Sequence, residues 1–156
     1  MDIIFDVRKS KEISDFLKKG ITKPVENIIQ SASTLMRNEA TKNLKKVVYN
    51  RAVTWKRTKD LLQSITIEKK SKLLHKVYVG MPYGIFVENG TNPHLIQPKK
   101  GKKFLAFLIG GKMIFARSVN HPGSKAYPFW KPAKITLSQK LPEIINKNIE
   151  DWKNKK

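Results

Sequence analysis

Cysteine is absent from the sequence, which excludes a disulfide framework and any thiolate metal site and fits a reducing compartment such as a cytoplasm. Acids are scarce as well, 12 against 32 basic residues. Between residues 51 and 134 the only carboxylates are Asp60, Glu68 and Glu88. Hydrolytic acid–base chemistry needs two carboxylates, or a carboxylate and a histidine, in one cleft. A Glu88–His121 pair is the one such combination that stands out. Histidine is limited to His75, His94 and His121, none of them four residues from another on a helix. A catalytic metal wants about three side-chain ligands, which would require His94, His121 and Glu88 to converge. There is no GxSxG elbow, no P-loop and no dinucleotide fingerprint. No catalytic residue, metal ligand or cofactor is therefore assigned. Long apolar runs are missing too: no stretch approaches the ~18 residues of a membrane span. The start, Met1-Asp2-Ile3-Ile4-Phe5, opens with an acid and is too brief for a secretory signal.

What the chain does have is basic charge and enough apolar residues for one core. Its 156 residues correspond to a single domain, and 40% hydrophobic content supports a modest core without metal or disulfide staples. The net charge of +20 is uneven: residues 1–50 carry +4 and residues 51–156 carry +16. Such a field favours nucleic acid or an acidic protein surface as neighbour. Because 27 of the basic residues are lysine, the same excess also reads as a plain solvated surface. No helix-turn-helix, zinc-finger or RNP pattern accompanies it.

Hydrophobic periodicity divides the chain into a helical N-terminal part (1–50), an antiparallel sheet region (58–119) and a C-terminal helix (132–152). Residues 2–7 suit a short strand. Lys9 to Lys19 suits a short amphipathic helix with Ile13, Phe16 and Leu17 on one face, ended by Gly20. A long helix from Thr22 to Asn50 has Pro24 in its first turn and a three–four stripe of Val25, Ile28, Ile29, Ala32, Leu35, Met36, Ala40, Leu44, Val47 and Val48. The period then falls to two over Leu61–Glu68 and Leu73–Val79, an antiparallel hairpin turning at Lys69–Lys72. Tyr83–Glu88 reads as another short strand. Thr91–Lys103 is a basic loop, long for a compact domain, whose Lys99, Lys100, Lys102 and Lys103 could touch phosphates without reading bases.

Phe104–Ile109 and Lys112–Ser118 flank Gly110-Gly111, the mark of a two-residue primed turn. The register pairs Phe107 with Ile114 and Leu108 with Met113. Both faces of this hairpin are apolar. One is expected against the helices, and the other, with Phe104, Leu108, Met113 and Phe115, is a candidate subunit interface. Asn120–Lys131 reads as a connector, and Pro142 is expected to kink or split the last helix. The expected fold is α+β: an antiparallel sheet of four to five strands with a long N-terminal and a C-terminal helix packed on one face.

Two blocks carry a resemblance: Tyr83-Gly84-Ile85-Phe86-Val87-Glu88-Asn89-Gly90-Thr91, and the segment His121 to Ala133 with Pro128-Phe129-Trp130-Lys131-Pro132-Ala133. Upstream, Thr58-Lys59-Asp60-Leu61-Leu62-Gln63-Ser64-Ile65 is similar to a "TGxLxxSI" entry into the first strand. In this order and spacing they resemble the head–tail joining or tail-completion family of siphophages, also known as minor capsid or neck proteins. There a "YAxFVExGT" block precedes "PFxxPA". Lys59 stands where glycine is common and Gly84 where alanine is common. The likeness covers residues 58–134 and implies a non-catalytic virion subunit made in the host bacterium's cytoplasm. It further implies a homo-oligomeric ring, six-fold by analogy, between the capsid connector or stopper and the tail terminator or tail tube. DNA passes through such rings, with non-specific contact at most and no membrane partner. Tyr83, Val87, Glu88, Gly90, Thr91, Pro128, Phe129, Pro132 and Ala133 are the motif positions, expected to define the fold. The competing reading is a small basic nucleic-acid-binding domain or nuclease.

Overall fold

The computed structural model describes residues 1–6, 22–49 and 55–155. The helix expected over Lys9–Lys19 lies outside them. Strand β1 (Asp2–Asp6) is followed by α1 (Thr22–Tyr49), α2 (Trp55–Gln63), β2 (Ile65–Ser71) and β3 (Leu74–Val79). Then come α3 (Gly84–Asn89), β4 (His94–Ile96), β5 (Leu105–Ile109), β6 (Lys112–Ala116), β7 (Val119–His121) and α4 (Trp130–Lys153). The fold is α+β, with the long N-terminal helix and the C-terminal helix that periodicity predicts. Among the described residues seven strands form three small antiparallel sheets: β1-β3-β2, β4-β7 and β5-β6.

The core follows from the stripe on α1. Val25, Ile29, Ala32, Met36, Ala40 and Leu44 are all buried, because steps of three and four keep a helical residue on one face. That face meets the inner side of the three-stranded sheet, where His75, Val77 and Val79 alternate inward from β3 and Ile65 from β2. Helix α4 packs along α1, closing the core with Phe129, Trp130, Ala133 and Leu137. Asn43 of α1 donates to the Phe129 carbonyl at 3.2 Å and so fixes where α4 begins.

Several local assignments change. Tyr83–Glu88 is helical, not extended. An inward Tyr83–Ile85–Val87 row therefore does not exist: Gly84 and Glu88 are buried and Ile85 and Phe86 face water. Leu61 belongs to α2, which ends at Gln63, and the strand starts at Ile65. The backbone N–H of Ser64 bonds the Asp60 carbonyl at 3.0 Å and completes that last helical turn. Leu61 is buried all the same, which is why its apolarity suits either period. The β2–β3 turn is tighter than expected, at Lys72-Leu73. The basic loop contains β4, whose partner β7 overlaps the start of the expected connector. Helix α4 starts at Trp130 and continues through Pro142 without splitting. Both Pro142 and Ser138, whose carbonyl loses its N–H partner, are exposed, so water can satisfy the gap.

Candidate functional site

The two blocks that carry the family resemblance meet in space, and a buried carboxylate joins them. Glu88 lies in the last turn of α3 with only 8% of its surface exposed. Its Oε2 accepts the backbone N–H groups of Phe129 at 2.7 Å and Trp130 at 2.8 Å, and its Oε1 accepts that of Lys131 at 2.9 Å. These are the orphan donors of the α4 N-terminus, which a helix cannot satisfy internally. The next residue, Pro132, has no N–H to satisfy. Phe129 at the cap position offers no side-chain bond of its own. Glu88 therefore caps α4 from 41 residues upstream, and its negative charge also suits the positive end of the helix dipole.

More bonds zip the same two segments. Tyr127 N–H donates to the Val87 carbonyl at 2.8 Å. Thr91 and Ser124 exchange backbone bonds at 3.0 Å each, and their hydroxyls lie 3.0 Å apart. Gly90 turns the chain at φ +71°, and a Cβ there would fall on the Ser124 carbonyl and the Ala126 N–H. Only glycine fits both the torsion and the gap. Among the expected motif residues, Val87, Glu88, Gly90 and Thr91 thus meet the segment from Ser124 to Lys131. Phe129 and Ala133 are fully buried, Tyr83 and Val87 pack partly buried against the core, and Pro128 is exposed. Gly84 is also explained: a Cβ would lie 2.9 Å from Val79 Cγ1 and 3.2 Å from Leu61 Cδ1.

Beside this clamp, His94 and His121 oppose each other across β4 and β7 with ring centroids 5.0 Å apart. His94 Nδ1 lies 2.8 Å from the Asn92 carbonyl and must donate, whereas His121 Nδ1 accepts the Gly123 N–H at 3.0 Å. Nδ1 therefore carries the proton on His94 and a lone pair on His121, and that lone pair, already bonded to the Gly123 N–H, is not free for a metal. Glu88 is committed to α4. Among the described residues no group of three or more His, Asp or Glu could hold a metal ion. The two rings line an open cleft of about 620 Å³ with Phe86, Gly90, Thr91, Asn92 and Ser124.

The β5–β6 ribbon has the predicted register, Phe107 opposite Ile114 and Leu108 opposite Met113. Its turn glycines have φ +56° and +80°, the primed geometry. Its surroundings differ from the expectation. No residue of either strand is fully buried, but the two faces differ: Leu105, Phe107 and Ala116 of one face are partly covered. On the other face Phe104, Leu108, Met113 and Phe115 are 50%, 67%, 55% and 67% exposed. The long N-terminal helix packs mainly on the β1-β3-β2 sheet and on α4, and among the described residues no helix packs broadly against the ribbon. Lys99, Lys100, Lys102 and Lys103 precede the ribbon and are exposed, with Lys102 N–H closing a turn on the Lys99 carbonyl at 2.9 Å.

One buried polar pair had no sequence signal. His75, on β3, has Nδ1 3.1 Å from Ser33 Oγ of α1, and Ser33 donates its own proton to the Gln30 carbonyl. His75 Nδ1–H is then the donor to Ser33. Burial, and to a lesser degree the nearby Lys69 charge, hold the His75 pKa below its ordinary value. Among the described residues no helix is long and apolar enough to cross a membrane. Comparison with protein-family models, with curated proteins and with solved structures gives no significant match.

Proposed function

We propose that the chain is a structural subunit of a phage neck, a head–tail joining or tail-completion protein that forms a ring between the capsid connector and the tail tube. On this reading it performs no bond-making chemistry, and DNA passes through the assembled ring. The observation that carries the proposal is the β5–β6 ribbon, apolar on both faces and uncovered along its Phe104–Leu108–Met113–Phe115 face. A two-stranded hairpin alone in water is marginally stable, so a ribbon of this composition calls for a protein partner. The clamp supports the same reading. The most distinctive polar residue of the resembling blocks, Glu88, spends both oxygens on holding a helix, a fold-defining role.

Deleting the gene from the phage that carries it tests the proposal. The expected particles are DNA-filled heads and free tails that fail to join, restored by the protein supplied in trans. Joined, infectious virions without the protein would overturn it. Sedimentation with and without DNA separates the rival: a monomer that binds DNA with a steep salt slope supports a nucleic-acid-binding domain.

A further inference from the structure

We propose that the Phe104–Leu108–Met113–Phe115 face of one copy's ribbon seats in the Phe86–His94–His121 cleft of the next copy, so that subunits join head to tail. This rests on the self-assembly reading above and adds the acceptor surface.

Four observations carry it. The first is that the chain bears two separate apolar surfaces, one projecting and one concave. The ribbon does not fill its own cleft, since none of its residues lines it. The second is area. Four large side chains, each half to two-thirds exposed, leave on the order of 400 Å² of apolar surface in water, which is in the range of the largest patches on monomers and about half of one partner's share of a standard interface. The ribbon's other face, with Ile109 and Ile114, and its rim supply more.

The third is charge. Two copies of a +20 chain repel, so they can touch only where neither presents basic side chains. No lysine or arginine lines the Phe86 cleft, whereas the cleft between α1 and the β2–β3 hairpin carries Lys23, Lys69 and Lys72. On the ribbon, Lys112 is the single charge between Phe104 and Ala116. The fourth is fit. The cleft is open, about 620 Å³, with room for large side chains, and Phe86 stands 57% exposed at its wall. Donor and acceptor are different surfaces. The contact is therefore heterologous, and repeating it closes a ring or extends a filament.

The absence of cysteine makes the test clean. Full-length Leu108→Cys and Phe86→Cys variants are mixed and oxidised. The expected product is a disulfide dimer in the mixture, a ladder from the double variant, and no dimer from either variant alone. As a second measurement, Leu108→Asp and Phe86→Asp each sediment as monomers, while their mixture forms a 1:1 dimer through the one intact ribbon–cleft pair. Both positions are exposed, so circular dichroism should match wild type. Leu108→Cys crosslinking to itself would overturn the proposal in favour of a ribbon–ribbon pair. A wild-type oligomer with no Leu108–Phe86 crosslink would overturn it and leave the ring reading standing. A wild-type chain that stays monomeric at every concentration, with the connector and tail proteins present as well, would remove both.

Discussion

Replacing Glu88 measures what the clamp is for. Each of its three bonds joins a backbone N–H to a carboxylate, a charge-assisted class with net value of about 1.5–3 kcal/mol. Glu88→Gln keeps the volume and one carbonyl oxygen, enough to hold Phe129 and Trp130 on the Oε2 side. Its amide then meets the Lys131 N–H donor to donor. One bond and the charge–dipole attraction are lost, about 2–3 kcal/mol together. Glu88→Ala strands the N–H groups of Phe129 and Trp130, residues only 0% and 5% exposed, at about 1–3 kcal/mol each, and leaves a void. Its cost is about 4–5 kcal/mol against a total stability on the order of 5–15 kcal/mol. At roughly 2–4 °C per kcal/mol for a domain of this size, Tm falls by about 10–15 °C for Ala and about half that for Gln. Urea unfolding followed by far-ultraviolet circular dichroism should show the midpoint falling at constant slope. Glu88→Ala within about 1 kcal/mol of wild type would refute the capping argument. A carboxylate kept for proton transfer predicts the reverse pattern, activity lost with stability retained or gained.

Reversing Lys99, Lys100, Lys102 and Lys103 to glutamate should leave the melting curve within experimental error, since all four are exposed, yet impair head–tail joining; full infectivity would remove the loop from function. Gly84→Ala should cost about 1–3 kcal/mol through overpacking against Val79 and Leu61, and Gly90→Ala more, because positive φ and backbone collision combine. Thermal melts of both that match wild type would contradict the packing described. Because burial depresses His75, the unfolded chain takes up the proton first as the pH falls. Stability is therefore full above about pH 6.5 and declines below it. His75→Asn keeps a donor for Ser33 but cannot titrate, so its urea midpoint should vary less between pH 7.5 and pH 5.5; an unchanged slope would assign the effect elsewhere.

Periodicity made the two long helices legible, since Val25 through Leu44 repeat on one face for many turns. The Gly110-Gly111 turn set the ribbon's register to the residue because positive φ at both positions permits one pairing only. What failed was short or long-range. Ile85-Phe86-Val87 has strand propensity, but six residues are too few for periodicity to choose. The winning constraint is the need to aim Glu88 at a helix end 41 residues away. A clue existed: Phe129-Trp130-Lys131 holds no Ser, Thr, Asp or Asn to cap the helix that Pro132 helps to open, so a cap had to come from elsewhere. The β4–β7 pair, three residues long, has no pattern at all. Nor does local sequence reveal that the ribbon stands apart from the core, because its alternation is the same whether a partner lies within the chain or outside it.

The sign of the salt dependence separates the two functional readings more sharply than any single variant. The clamp satisfies its polar groups, and among the described residues no buried side-chain polar atom lacks a partner. What is left unsatisfied at the ribbon is apolar area, and its burial carries no Coulombic term. Self-association is opposed instead by the +20 charge of each copy. Raising salt shortens the Debye length from about 8 Å at 0.15 M to about 3 Å at 1 M, which weakens that repulsion while leaving apolar burial intact or, with sulfate, strengthened. Ring assembly should therefore tighten with salt. Binding to DNA phosphates runs the other way, since each neutralised phosphate releases a counterion and affinity falls linearly on a log–log plot. Sedimentation velocity from 0.05 M to about 1 M salt, without and with duplex DNA, reads both slopes. A homo-oligomer that dissolves as salt rises would mean that charge, not the ribbon, holds the copies together.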